Sequence, residues 1–91
     1  PNTMIRVSVI SPERTLYEGE AEGVVAPAFD GEVGILSGHA PMMTLLGRGV
    51  LRLTGGAAAG SASPTRFRVE GGFLQVVDNQ VRVVTERATA L

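Results

Sequence analysis

Cysteine, lysine and tryptophan are all missing from these 91 residues, and aromatics make up only 4%. Without cysteine, neither a disulfide nor a thiolate metal site can staple the fold. Without lysine there is no Schiff-base chemistry. There is also no attachment point for a lipoyl or biotinyl group, which removes the carrier domains, the nearest small all-β alternative. No apolar run approaches the roughly 20 residues a membrane helix needs, because Gly, Pro or a charge cuts each one. Pro1 to Thr15 lacks a basic start followed by an apolar block, so no signal peptide is read there. A soluble, reducing compartment is the default, and membrane association would go through a partner.

What is present is an aliphatic composition, 44% hydrophobic with Val and Leu leading, in a chain of one-domain length. A domain this small buries a modest share of its surface, so the core alone must hold it. The formal net charge of -1 argues against a nucleic-acid binder, which needs clustered cations. The charges are unevenly spread. The first 45 residues set Glu13, Glu18, Glu20, Glu22, Asp30 and Glu32 against Arg6 and Arg14 only, whereas the remainder sets six arginines against Glu70, Asp78 and Glu86. Either scattered strand charges face water, or an acidic loop meets a basic partner.

Along the chain, Ile5 to Ile10 begins with apolar/polar alternation, the period of a half-buried strand. Ser11-Pro12-Glu13-Arg14 reads as a turn. Leu16 to Glu22 alternates with Glu18, Glu20 and Glu22 on one face, which must be the wet one. Gly23 to Ala28 reads as a strand in which Pro27 suggests an edge or a bulge. Phe29-Asp30-Gly31-Glu32 is a hairpin turn signal, Val33 to Ile35 a brief strand, and Leu36 to Pro41 an irregular crossing. Met42 to Leu46 is apolar, Gly47-Arg48-Gly49 turns the chain, and Val50 to Thr54 is a strand. Residues 55–64 contain only Gly, Ala, Ser and Pro and read as a flexible hairpin tip. Arg66 to Glu70, Phe73 to Val77 and Val81 to Thr85 are strands, the last two joined through Asp78-Asn79-Gln80 as a type I or related turn. Residues 86–91 are too short for an independent helix. Seven to ten short strands, regular turns and no helix favour an all-β sandwich or flattened barrel.

Reactive groups are sparse. His39 is the only histidine. A triad would need a nucleophile and an orienting acid around it, yet no nucleophile-elbow motif is present. A metal would need further ligands, and no second His or Cys exists to supply them. A structural or partner-contact imidazole is the plainer reading. Asp30 and Glu32 could form a glycosidase-like carboxylate pair, but on a tight turn they read better as a solvated acidic tip. The glycines after residue 55 lack Lys-Ser/Thr and a following helix, so they are no phosphate loop. No catalytic residue, cofactor or metal site is assigned. Pattern alone reaches a small all-β domain, an interaction module with unnamed partner.

The run Gly31-Glu32-Val33-Gly34-Ile35-Leu36-Ser37-Gly38-His39-Ala40-Pro41-Met42-Met43-Thr44 resembles the signature of the epsilon subunit of F-type ATP synthases. That pattern is Gly-Glu-apolar-Gly-apolar-x-Pro-Gly-His-Ala-Pro, two apolar residues and Thr; Ser37 stands where Pro is usual. Val7 to Glu13, Gly49 to Arg52, Gly71 to Val76 and Val81 to Ala88 resemble further family stretches in the same order.

The resemblance implies a sandwich of two five-stranded, mostly antiparallel sheets spanning 1–91, at the foot of the central stalk. It implies a non-catalytic rotor subunit that links subunit gamma to the c-ring and couples ion flow to ATP synthesis, a monomer within the complex. Its partners would be gamma and the c-ring, without nucleic acid, touching the membrane only through the ring. Its place would be the cytoplasmic face of the bacterial plasma membrane. Carried over by position, Asp30, Gly31 and Glu32 form the loop facing the c-ring, while Ser11, His39, Ala40, Pro41, Met42 and Thr44 contact gamma. Many family members continue into a two-helix domain that binds ATP and inhibits hydrolysis. No such segment follows Leu91, so a short form without that hairpin is expected. The alternative is a β-sandwich interaction module of unrelated function.

Overall fold

The computed structural model describes residues 4–55 and 65–91, and among them every regular element is a β-strand. The ten strands are β1 (Ile5–Ile10), β2 (Thr15–Ala21), β3 (Gly23–Ala28), β4 (Gly31–Leu36), β5 (Met42–Leu45), β6 (Arg48–Thr54), β7 (Arg66–Glu70), β8 (Phe73–Val77), β9 (Gln80–Val84) and β10 (Arg87–Ala90). They form two five-stranded sheets in the orders β2-β1-β9-β8-β5 and β10-β7-β6-β3-β4. Every described pairing is antiparallel except β1 with β9, where Arg6 to Ile10 run beside Gln80 to Val84. The fold class read from the sequence holds. The expectation for the Gly/Ala/Ser/Pro tip at 55–64 lies outside the described residues apart from Gly55.

Alternation explains the layering. Ile5, Val7 and Val9 of β1, Leu74 and Val76 of β8, and Val81 and Val83 of β9 point inward from one sheet. Val24 and Ala26 of β3, Ile35 of β4, Leu51 and Leu53 of β6, and Phe67 and Val69 of β7 point inward from the other. Burying each larger side chain of this set contributes about 1.5–3 kcal/mol. Tyr17 of β2 meets Phe67 of β7 edge to face, with centroids 6.3 Å apart and planes at 70°, which is a favoured aromatic geometry. The Tyr17 hydroxyl donates to the Glu20 carbonyl at 3.0 Å, so its polar end is satisfied. Glu18, Glu20 and Glu22 are all exposed, as their spacing required.

Two turns and one strand proline differ in detail from the sequence reading, each for a stereochemical reason. Asp78 and Asn79 both have positive φ, 50° and 62°, and join the paired residues Val77 and Gln80, so of the type I or related turns the sequence allowed, the turn is type I′. The twist of a type I′ turn matches that of the strands it joins. In the β3–β4 hairpin, Ala28 pairs with Gly31, so Phe29 and Asp30 form the two-residue corner. Neither has positive φ; Gly31 takes it instead at 133°. Pro27 sits neither on an edge strand nor at a bulge of the β3–β4 ladder, since β3 lies between β6 and β4. It is tolerated because the β3–β6 ladder ends at Val25, and from Pro27 only the carbonyl is used, accepting from Gly47 N at 2.8 Å. The segment after Thr85 adds a strand, β10, paired with β7.

The chain changes sheet at corners that are tied together. Leu46 N donates to Gly72 O at 2.9 Å, and Gly71 N to Gly47 O at 3.3 Å, joining the β5–β6 and β7–β8 corners. Buried Thr85 joins three more strands: its N–H donates to Ile10 O at 2.9 Å, and its hydroxyl lies 3.0 Å from Arg87 O and 3.3 Å from Glu70 O while accepting from Arg87 N at 3.3 Å.

Candidate functional site

The features that stand out chemically lie around the β4 and β5 edges. β4 closes one sheet and β5 the other, and they are consecutive in the chain. On β4, Ile35 points to the core and Leu36 away from it; on β5, Met42 and Thr44 are half-buried while Met43 and Leu45 face out. Leu36 is 67% exposed, Met43 63% and Leu45 62%, and Phe29 at the hairpin corner is 67% exposed. Phe29 N donates to Leu45 O at 3.1 Å, which fixes that corner beside the end of β5.

The apolar surface continues across the outer face of the first sheet. Leu45 pairs with Phe73, Phe73 with Val84, and Val84 with Ile10, making a row over four strands. Beside it, Gln75, Val77, Gln80 and Arg82 line a shallow depression of about 270 Å³. Isolated exposed apolar residues are ordinary, but several large ones side by side mark an interaction surface. Among the described residues, no group of three or more His, Asp or Glu is gathered to hold a metal ion.

The residues carried over from the family fall into two groups. Asp30, Gly31 and Glu32 stay together, all exposed, at the β3–β4 tip. The Glu32 carboxylate leans 3.9 Å from Arg52 with both side chains largely in water, a pair too screened to matter much for stability. The six others are not brought to one point. Ser11 is buried, and its hydroxyl donates to Arg14 O at 3.2 Å, closing the β1–β2 turn. His39 is half-buried at the other end of the sheet, next to Gly38, whose N–H donates to Asn79 Oδ1 at 2.7 Å. Its Nδ1 lies 2.7 Å from Ala40 O. A carbonyl only accepts, so Nδ1 carries the proton and Nε2 is left for another group. Ala40 and Pro41 are exposed, Met42 packs on the rim of the core, and the half-buried Thr44 hydroxyl donates to Leu45 O at 3.4 Å. Ser11 and His39 are separated by roughly the 17 Å length of a five-residue strand, so one partner touching both must cover a broad face.

Sequence reasoning missed Phe29, Leu36, Leu45 and Phe73 as surface residues. Met42-Met43-Thr44-Leu45-Leu46 has no clear alternation, so it does not say which apolar residues face outward. On β4 the weak signal was the pairing of Ile35 with Leu36, since neighbours on a strand cannot both face the core.

Known proteins with related sequences and folds are informative at this point. Residues 4–91 match the family model of the ATP synthase delta/epsilon chain, β-sandwich domain. The ATP synthase epsilon chain of Rhodopirellula baltica is 49% identical over 84 residues, covering 92% of this chain and 62% of that relative. The chloroplastic epsilon chain of Chlamydomonas reinhardtii is 34% identical over 87 residues, covering 94% of this chain and 62% of that relative. This chain thus spans about three fifths of the length of the curated relatives it matches. The same fold occurs in the mitochondrial ATP synthase central stalk and c-ring of Tetrahymena thermophila, with TM-score 0.78, 16% identity, and coverage of 93% of this chain and 65% of that one. It occurs again in the Euglena gracilis mitochondrial enzyme, with TM-score 0.78, 20% identity, and coverage of 99% and 54%.

Proposed function

This chain belongs to the ATP synthase delta/epsilon chain family as its β-sandwich domain, and on that premise we propose that it is a non-catalytic rotor component joining subunit gamma to the c-ring. Its work is mechanical. A stiff sandwich clamps the axle to the ring, so that torque from ion flow reaches the catalytic subunits instead of slipping. It binds as a monomer in the complex, at the cytoplasmic face of a bacterial plasma membrane, in keeping with its bacterial relatives. Family membership argues against an unrelated interaction module.

One observation carries the reading: Met43 and Leu45 stand in water on the outer side of the edge strand β5, and Leu45 is continuous with the row from Phe73 to Ile10. A protein contact of standard size covers about 800 Å² on each partner, and this surface offers its apolar centre. In this reading gamma takes that surface, with His39, Ala40, Pro41, Met42 and Thr44 along its border and Ser11 holding the β1–β2 turn at its far end. Asp30, Gly31 and Glu32 face the ring, where the carboxylates meet cationic loop side chains.

The test uses purified gamma and a reconstituted complex. Met43→Asp with Leu45→Asp leaves the circular dichroism spectrum unchanged and weakens gamma binding at least tenfold. Unchanged affinity in a titration overturns the assignment of that surface. Glu32→Arg keeps gamma binding and lowers ion-driven ATP synthesis; normal coupling in that variant refutes the role of the acidic tip.

A further inference from the structure

Five of the eight cationic residues share one exposed face: Arg48 and Arg52 on β6, Arg66 and Arg68 on β7, and Arg87 on β10. The sequence scatters them over 40 positions, and register gathers them. Arg52 pairs directly with Arg66, and Glu70 pairs with both Arg48 and Arg87. The acids on this face are Glu70, whose carboxylate lies 3.6 Å from Arg48, and Glu32, 3.9 Å from Arg52. Arg66, Arg68 and Arg87 have no ion pair among the described residues. The face is therefore strongly cationic on a chain whose net charge is -1.

We propose that this face of β6, β7 and β10 docks an acidic helical segment of a partner protein, held by Arg52, Arg66, Arg68 and Arg87. Placing Arg52 directly across from Arg66 destabilises the isolated sheet. A face selected only for solubility would interleave carboxylates here, as β1 and β2 do where Arg6 pairs with Glu20. The spacing fits a helix. Arg66 and Arg68 stand about 7 Å apart along one strand face, and Arg52 about 5 Å across from Arg66. Carboxylates one helical turn apart stand about 5–6 Å from each other. Each guanidinium offers a fork that takes a carboxylate through two hydrogen bonds. An anionic bilayer fits less well. Of the exposed large apolar side chains, Met43 and Leu45 point out from the other sheet and Phe29 sits at the β3–β4 corner, which leaves Leu36 beside Thr54 at one margin of this face and Leu91, its N–H donating to Arg66 O, at the other. The inference does not depend on the stalk reading, and no variant below touches the surface assigned to gamma.

The experiment uses two fluorescent 14-residue peptides of identical Glu, Ala and Gln composition. One carries its glutamates on one helical face at every fourth position; the other distributes them around the helix. By fluorescence anisotropy at low salt, the one-faced peptide binds at least tenfold more tightly than the distributed one. Arg66→Gln with Arg68→Gln abolishes that preference, and Arg6→Gln with Arg14→Gln retains it. Circular dichroism checks folding, and Arg52→Gln with Arg87→Gln gives the same loss should the first pair not fold. Equal affinity for the two peptides overturns the proposal, as does an equal loss in the Arg6/Arg14 variant. Vesicles of phosphatidylglycerol and phosphatidylcholine form the last arm. Their capture through Arg66 and Arg68, with neither peptide bound, assigns the face to lipid and also overturns it.

Discussion

Gly72→Ala should be among the most damaging single-methyl changes in this protein. Gly72 has φ of 99° at the β7–β8 corner, where the chain passes from one sheet to the other. A Cβ there would collide with the Val84 carbonyl oxygen and stand 2.7 Å from Thr85 Cα, both backbone atoms that cannot rotate away. The left-handed conformation alone costs a non-glycine residue about 1–2 kcal/mol, and forcing extra volume into a packed site adds about 1–3 kcal/mol. The sum, about 2–5 kcal/mol, is a large part of the roughly 5–14 kcal/mol that a domain of this length commands. At a minimum of about 4 °C per kcal/mol for this size, the melting temperature falls by at least about 8 °C. Far-UV circular dichroism follows the melt. Two glycines serve as references. Gly38 has φ of 86° with nothing within 4 Å of a built Cβ, so Gly38→Ala carries the conformational cost of about 1–2 kcal/mol alone. Gly34 has open space and no positive φ, so Gly34→Ala is neutral or stabilising, by up to about 1 kcal/mol through the unfolded chain. If Gly72→Ala melts together with Gly38→Ala, the close backbone approach is not what requires glycine at 72.

Phe67→Ala removes the largest fully buried side chain and its edge contact with Tyr17, so urea denaturation should report a loss of about 3–5 kcal/mol. Thr85→Val keeps the shape but loses the hydroxyl that bridges β7 and β10; a loss of about 1–3 kcal/mol is expected, and amide exchange should quicken first in β10. Asn79→Gly keeps the positive φ of the type I′ turn but deletes the acceptor for Gly38 N, so it should loosen the 37–41 crossing while the β8–β9 hairpin survives. Asn79→Ala loses both and should be the less stable of the two in the same melt.

Much of the fold was legible because some strands alternate without ambiguity. Arg66-Phe67-Arg68-Val69-Glu70 allows only one inward face, and the structure buries Phe67 and Val69 as required. Glu18 and Glu20 of β2, with Glu22 just after it, did the same by their cost of burial. The turns were less legible. Asp78-Asn79 is a strong type I′ signal in hindsight, because Asn and Asp tolerate positive φ better than other non-glycine residues. Pro27 misled because its missing N–H was weighed without knowing where the β3–β6 ladder stops. At the candidate surface, the acidic tip was legible from Asp30-Gly31-Glu32. The apolar half was not, because Met42 to Leu46 offers hydrophobic residues on both faces.

By itself the sequence determined the class of this protein: short alternating segments, frequent breakers and no cysteine leave a sandwich held by an aliphatic core. It also determined which side chains of the clean strands meet, since a period of two admits one hydrophobic face. Only the tertiary structure decided which strands share a sheet. The parallel pairing of β1 with β9 joins residues more than 70 positions apart, and no local pattern encodes such a neighbour. The same holds for the surfaces. Leu45 joins Phe73, Val84 and Ile10 in one row, and Arg52, Arg66, Arg68 and Arg87 form one face, because inter-strand hydrogen bonds set the register. Register depends on which strands have already found each other across the core.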